Sequence, residues 1–300
     1  MIKTIQKYFI FSFCAFAVVS CSKEENDSST LVNKVQLNFN NTFDGEPIVL
    51  GDAHSDEATV QISAEGQAHY FSELKYVISQ IRLVKTDGTV VPYHIEDLDK
   101  GAHVIDQSKS ESLSFTMEDI PAGQYVQIQF GLGVPASLNT LDETRFPAFY
   151  AAAGANDTEM MWEWGSGYRF VKLEGFYGSD HQELSVHTGS TVEGEEGEYT
   201  QGVDAYREIR LDFDAPISVG NDWPIVVIEA DFDHLLSGYS HSIELSSGTG
   251  GDDNATPNKH SSVQMLRFVD NLGGNGSDDV QGMFSIQEVN HYSNPLTSIE

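Results

Sequence analysis

The amino-acid sequence predicts an all-β protein, a single large antiparallel domain of the β-sandwich kind. Three observations predict it. Apolar and polar residues alternate over many short runs, the period of a half-buried strand. Asp87-Gly88 sits between two such runs, the residue pair that closes a tight hairpin. No stretch has the length and periodicity of a long amphipathic helix. In chain order the strand signals are Val35, Leu37 and Phe39; Val60 and Ile62; 78–84 and 90–95 around the Asp-Gly turn; then Val126, Ile128 and Phe130 interleaved with Gln127 and Gln129. Residues 169–173, 209–213, 224–230 and 240–245 follow, with a short helix over 262–272. Residues 140–159, 188–202, 246–260 and 271–279, rich in small or acidic residues and glycine, read as loops. No repeat of fixed spacing occurs, which argues against a solenoid or propeller.

The N-terminus predicts export. Lys3 and Lys7 precede an apolar run over 8–19 that ends at Ser20-Cys21. That run is well short of the roughly 20 apolar residues of a membrane-spanning helix, so it reads as a signal peptide. Val18-Val19-Ser20-Cys21 resembles the bacterial lipobox, in which the cysteine sulfur receives a diacylglycerol before the leader is cut away. The expected organisation is a signal peptide over 1–20, a lipidated Cys21 and flexible tether over 21–34, and a β domain over 35–300. Lys23-Glu24-Glu25 resembles the surface-export signal of lipoproteins in Bacteroidetes. The expected location is therefore the outer membrane, reached through the lipid anchor, on its periplasmic face or at the cell surface.

Composition excludes several chemistries. Cys14 lies in the leader and Cys21 carries the lipid, and the chain has only 2 cysteines. The mature protein therefore has no disulfide, no thiolate metal site and no thiol nucleophile. Against 46 acidic residues stand 16 Lys and Arg, a net charge of −30. Such a field repels nucleic acid and attracts cations. There is no Gly-x-Ser-x-Gly, no phosphate-cradling loop and no His-Glu-x-x-His. Carboxylate pairs occur by chance in so acidic a chain, so a binding protein is expected and not an enzyme.

The most informative segment spans 160–175: Met160, Met161, Trp162, Glu163, Trp164, Gly165, Ser166, Gly167, Tyr168, Arg169, Phe170, Val171, Lys172, Leu173, Glu174, Gly175. If extended, it would put both indoles on one face beside glycine-rich loops, accessible to an external oxidant. Read by composition alone it is an aromatic core patch capped by glycines. Its pattern Met-x-Trp-x-Trp-x-x-Gly-Tyr-x-Phe-x-Lys-x-Glu-Gly, with Val186-His187-Thr188-Gly189 downstream, resembles the MbnP-like family. These are partner proteins encoded beside methanobactin genes and widespread as lipoproteins in Bacteroidetes. Leu74-Lys75-Tyr76-Val77-Ile78-Ser79, Ile120-Pro121-Ala122-Gly123, Phe130-Gly131-Leu132-Gly133 and Leu141-Asp142 agree in order, so the likeness covers nearly the whole mature chain. The connection from Asp142 to Met160 is longer than usual, and Gly189-Ser190-Thr191 lacks the cysteine of some relatives.

The resemblance implies copper, held by histidines and in some members by a tryptophan oxidised to kynurenine by a partner di-haem peroxidase. Trp162 and Trp164 are the positions where that oxidation would fall. His187, on the His-x-Gly, is the first ligand candidate; His69 and then His241 are the candidates for a second imidazole. Met160 and Met161 offer thioethers, although buried methionine is the plainer reading. The acidic loops around Asp252-Asp253-Asn254 and over 275–279 could hold calcium but match no twelve-residue EF-hand. The competing reading is a surface glycan- or protein-binding module in which exposed Trp and Tyr stack on sugars. The lipobox reading predicts that Cys21→Ser yields unprocessed or released protein on membrane fractionation; a Cys21→Ser chain that matures and stays membrane-bound would contradict it.

Overall fold

The computed structural model describes residues 33–293 except 53, 55–58, 140–143, 156–158, 163–166, 191, 194–199, 221, 240, 246–261 and 275–281. The signal segment, Cys21, most of the tether, Trp164 and the calcium-candidate loops around 252–254 and over 275–279 lie outside the described residues. Strands run in the order β1 (Val35–Phe43), β2 (Glu46–Pro47), β3 (Gln61–Ile62), β4 (Ala68–Lys85), β5 (Val90–Pro92), β6 (His103–Asp106), β7 (Ser114–Met117) and β8 (Gly123–Leu132). There follow β9 (Arg169–Tyr177), β10 (Gln182–Gly189), β11 (Val192–Glu193), β12 (Thr200–Gln201), β13 (Arg207–Val219), β14 (Asp222–Asp231) and β15 (Phe284–Ser293). The helices are short: α1 (Leu98–Gly101), α2 (Pro147–Phe149) and α3 (Ser262–Asn271).

The strands form a sandwich of two sheets and a small β11–β12 ribbon. The smaller sheet has the order β15-β14-β1-β2 with β7 also on β1; the larger has the order β10-β9-β4-β8-β13. Its spine is β4, whose first half pairs with β9 and second half with β8 along one side. The short strands β3, β6 and β5 line the other side. The inner faces meet through aromatic rings: Phe39 of β1 lies 6.0 Å from Tyr76 of β4 and 6.4 Å from Phe130 of β8. Phe284 of β15 lies 5.2 Å from Phe130. Edge-on packing of these large rings removes apolar area from water and ties the sheets face to face. The Tyr76 hydroxyl donates to Asn41 at 2.8 Å, so its one polar atom is satisfied inside the core.

The Asp87-Gly88 turn forms as expected: Lys85 N–H donates to Thr89 at 2.8 Å, Gly88 adopts φ +84°, and Val84 faces Val90. The helix over 262–271 also forms. Three expectations change. β1 and β14 pair in parallel, Gln36 against Ile225 through Thr42 against Asp231. The long excursion through the larger sheet between them supplies the crossover that parallel pairing requires. Residues 241–245 add no strand, because Asn271 accepts from His241 N–H and the chain folds back onto Leu236. The stretch around Ala151-Ala152-Ala153-Gly154 is not a loop, since it continues α2 as a π-helical turn over Tyr150–Gly154.

A bulge in β4 decides which side chains reach which face. The pairing with β9 slips between Phe71 and Glu73. Before the slip, His69 and Phe71 point into the core; after it, Leu74 and Tyr76 do. Glu73 and Lys75 are thereby turned outward beside Glu174 and Lys172. His69 is fully buried, its ring 5.1 Å from Phe43 and parallel to Phe71 at 6.0 Å, and neither ring nitrogen has a hydrogen-bond partner. Burial holds the imidazole neutral and lowers its pKa from 6.5 to about 4. The unfolded chain binds this proton below about pH 6.5 while the folded chain resists it down to about pH 4. Stability is then full above the upper value and declines through that window by about 3 kcal/mol. His69→Phe should flatten the fall between pH 7 and 4.5 in urea unfolding; an unchanged fall in the variant would contradict the assignment.

Candidate functional site

On the outer face of the larger sheet, β9 and β10 floor a cavity of about 520 Å³. Period two puts Lys172 and Glu174 of β9 on this face, and the register sets His187 of β10 opposite Lys172 and Ser185 opposite Glu174. The wall is the segment ahead of β9. A bridge between Met161 and Tyr168, with Trp162 N–H donating to Gly167 at 3.0 Å and Arg169 N–H to Met160 at 2.8 Å, folds that segment back over the strand end. Tyr150 and Gly154 of the helical turn, and Glu159, close the remaining side.

Trp162 is 6% exposed and lines this cavity. Its ring meets that of His187 at 5.9 Å and 62°, and the Arg169 guanidinium lies 4.9 Å from its centroid. The glycine of His187-Thr188-Gly189 follows from the indole, because a Cβ at Gly189 would stand 2.6 Å from Trp162 Nε1. Two motifs distant in sequence are thus one piece of packing. Gly167 has a separate reason: it adopts φ +89°, and its neighbour Tyr168 donates its N–H to the Asn139 side chain at 2.8 Å.

Charge organises the floor. The Lys172 ammonium is 1% exposed and contacts Glu159 at 2.5 Å, Glu73 at 2.6 Å and Glu174 at 3.6 Å. Glu73 also binds Lys75 at 2.5 Å. Burial alone would pull the Lys172 pKa down, but its hydrogen bonds to Glu159 and Glu73, with the charge of Glu174, outweigh burial and raise it. Glu174 is held below the usual carboxylate range, chiefly by its hydrogen bond with His187, against the cost of burial. His187 Nε2 lies 2.8 Å from Glu174 Oε1 and 3.3 Å from Ser185 Oγ. A carboxylate on one ring nitrogen fixes the orientation of an imidazole, the usual support for a metal-binding histidine.

Of the candidates from sequence, His187 and Trp162 come together here. His69 does not: the parity of β4 before its bulge sends it into the core between Phe43 and Phe71. His241 lies elsewhere, its Nε2 3.4 Å from Asp270 of α3. Met161 lines the cavity, whereas Met160 is fully buried. Trp162 belongs to no named strand, and its burial removes the accessible indole face expected of it. The cluster of Glu73, Glu159 and Glu174 around Lys172 was missed. Its signal was charged residues at alternate positions of two otherwise apolar strands, Glu73 and Lys75 against Lys172 and Glu174.

The donor set fits copper in part. Imidazole from His187 and thioether from Met161 are ligands copper accepts. The cavity's carboxylates are engaged with Lys172 and His187. Among the described residues no three His, Cys, Asp or Glu side chains converge as a metal-binding group. Within the cavity, His187 and Met161 supply the imidazole and the thioether, which leaves room on an ion for a further donor.

A family model described as MbnP matches residues 32–261. Among solved structures, MbnP from Methylosinus trichosporium superposes with a TM-score of 0.50 at 16% identity, covering 87% of this chain and 99% of that one. The curated proteins contain no match.

The ion cluster generates a stability prediction. Lys172→Met leaves three part-exposed carboxylates crowded without their shared cation and, after solvent screening, should cost about 1–3 kcal/mol in denaturant unfolding. A loss below about 1 kcal/mol would mean that the contacts behave as an exposed surface pair.

Proposed function

Because the chain belongs to the MbnP family, we propose that it is a copper-handling protein of the cell envelope, a binder and not a catalyst, anchored by lipid at Cys21. The observation that carries this reading is the meeting of Trp162 and His187 in one cavity, with Glu174 on the imidazole. His187 is the imidazole that would hold the ion and Met161 a soft donor beside it. Copper bound there would accept electron density from nitrogen and sulfur donors.

The further donor would come from Trp162. Cleavage of the indole C2–C3 bond by two peroxide equivalents inserts two oxygens and releases two waters, giving N-formylkynurenine. Hydrolysis then releases formate and leaves kynurenine, with an aromatic amine and a ketone as new donors. A di-haem peroxidase docking on this face would supply the oxidising equivalents. With Trp162 only 6% exposed, the ring would be oxidised by electron removal through the protein and not by entering the partner's pocket. The same burial leaves Trp162 unsuited to stack on a glycan, which weighs against the sugar-binding alternative.

In equilibrium dialysis against Cu(II), His187→Ala should weaken retention at this site on the order of tenfold or more. Peptide mass spectrometry of protein from its native host should show the Trp162 peptide heavier by about 4 Da, the net gain of one oxygen and loss of one carbon. Copper retention indifferent to His187→Ala would overturn the site. An unmodified Trp162 in native, copper-loaded protein would overturn the kynurenine donor.

A further inference from the structure

We propose a second metal site on the same outer face, formed by His54 and His181, that takes a single divalent transition-metal ion of the imidazole-binding class. It does not depend on the cavity reading. The two rings lie with centroids 5.1 Å apart and planes at 65°. An imidazole nitrogen binds such metals at about 2.0–2.1 Å, which puts each ring centroid roughly 3 Å from the ion. Two rings meeting an ion at roughly 90–110° then have centroids about 4.5–5 Å apart. The observed spacing is that of a pair needing ring rotation and no backbone movement.

Both imidazoles are braced. His54 packs edge-on against Phe176 of β9 at 5.2 Å, and His181 against Tyr70 of β4 at 4.8 Å. Tyr70 and Phe176 are register partners across β4 and β9, so one outward-facing aromatic pair supports both histidines. The backbones are held too. His54 N–H donates to the Asp52 carboxylate at 2.9 Å, a local turn. His181 sits in the β9–β10 turn at φ +51°, a conformation costly for a residue with a Cβ, and donates its N–H to Gly178, itself at φ +71°. A left-handed histidine at a turn directs its ring where a right-handed residue would not. His54 is exposed and His181 half-buried, so an ion and its waters can reach both. The chain's net charge of −30 raises the local concentration of cations.

The pair is separate from the cavity. Neither His54 nor His181 lines it, and Phe176 lies two residues along β9 from Glu174 at its edge, about 7 Å at the rise of a strand. Two imidazoles with water completing the shell favour Cu(II) over Zn(II) and Ni(II).

The test uses the purified full chain and Cu(II) alone, in equilibrium dialysis with electron paramagnetic resonance of the retained ion. His54→Gln and His181→Asn are introduced singly and together into a His187→Ala background, so that retained copper cannot come from the cavity histidine. Asn keeps the left-handed turn, and the Asp52 contact uses the backbone of residue 54, so melting temperatures should match the parent's. The His187→Ala protein should retain copper with nitrogen coupling, and each further substitution should weaken retention on the order of tenfold or more. No retention by the His187→Ala protein, or retention indifferent to both further substitutions, would overturn the site and leave the pair as edge-to-face ring packing. The cavity reading fails by a different result, retention in the otherwise wild-type protein that is indifferent to His187→Ala.

Discussion

The structure around the site depends on one buried charge. Withdrawing an ammonium from water costs several kcal/mol even after relaxation, and only close, well-placed anions offset it. Lys172 meets Glu73 from β4, Glu174 from its own strand and Glu159 from the segment that walls the cavity. That cluster therefore binds the central strand, the strand under the cavity and the approach to Trp162 into one unit. Glu174 also holds His187, so the imidazole's position is linked to the same cation. Such an ion cluster is a poor source of net stability but a strict one of geometry, because displacing Lys172 leaves three carboxylates crowded without the cation they share. In this protein the strictness falls on His187, the imidazole that shares the cavity with Trp162.

Much of the fold was legible because alternation is a local signal. The strands at Val35, Val126, Arg169 and Pro224, the Asp-Gly hairpin and the short helix over 262–271 each announce themselves within a few residues. What was not legible depends on partners far away in the chain. The parallel pairing of β1 with β14 is a matter of which edge is vacant when the chain returns, and no local pattern encodes it. Residues 241–245 have strand-like composition, yet the Asn271 side chain captures the His241 N–H and diverts the backbone. Ala151 to Gly154 read as loop because small residues are compatible with both loop and helix, and α2 ahead of them decides.

The site was half legible. The family resemblance brought Trp162 and His187 forward, and the packing of Trp162 on Gly189 puts the two motifs in contact. The choice of a second histidine failed to find a neighbour because it rested on proximity in sequence. A single bulge between Phe71 and Glu73 reverses the facing of β4, so His69 lies in the core while Glu73, four positions from it along the chain, lies at the site. The His54–His181 pair was equally invisible, since 127 residues separate its members and only the β4–β9 register brings Tyr70 and Phe176 beneath them.

These relations make the outer face of β9 and β10, with His187 as its anchor, the proposed place of metal handling in this protein. The most direct measurement is anomalous diffraction at the copper edge from crystals of copper-loaded protein taken from the native host. The account predicts a peak in the cavity beside His187 and within ligand distance of the residue at position 162. Copper bound in the crystal with no peak beside His187 would contradict it.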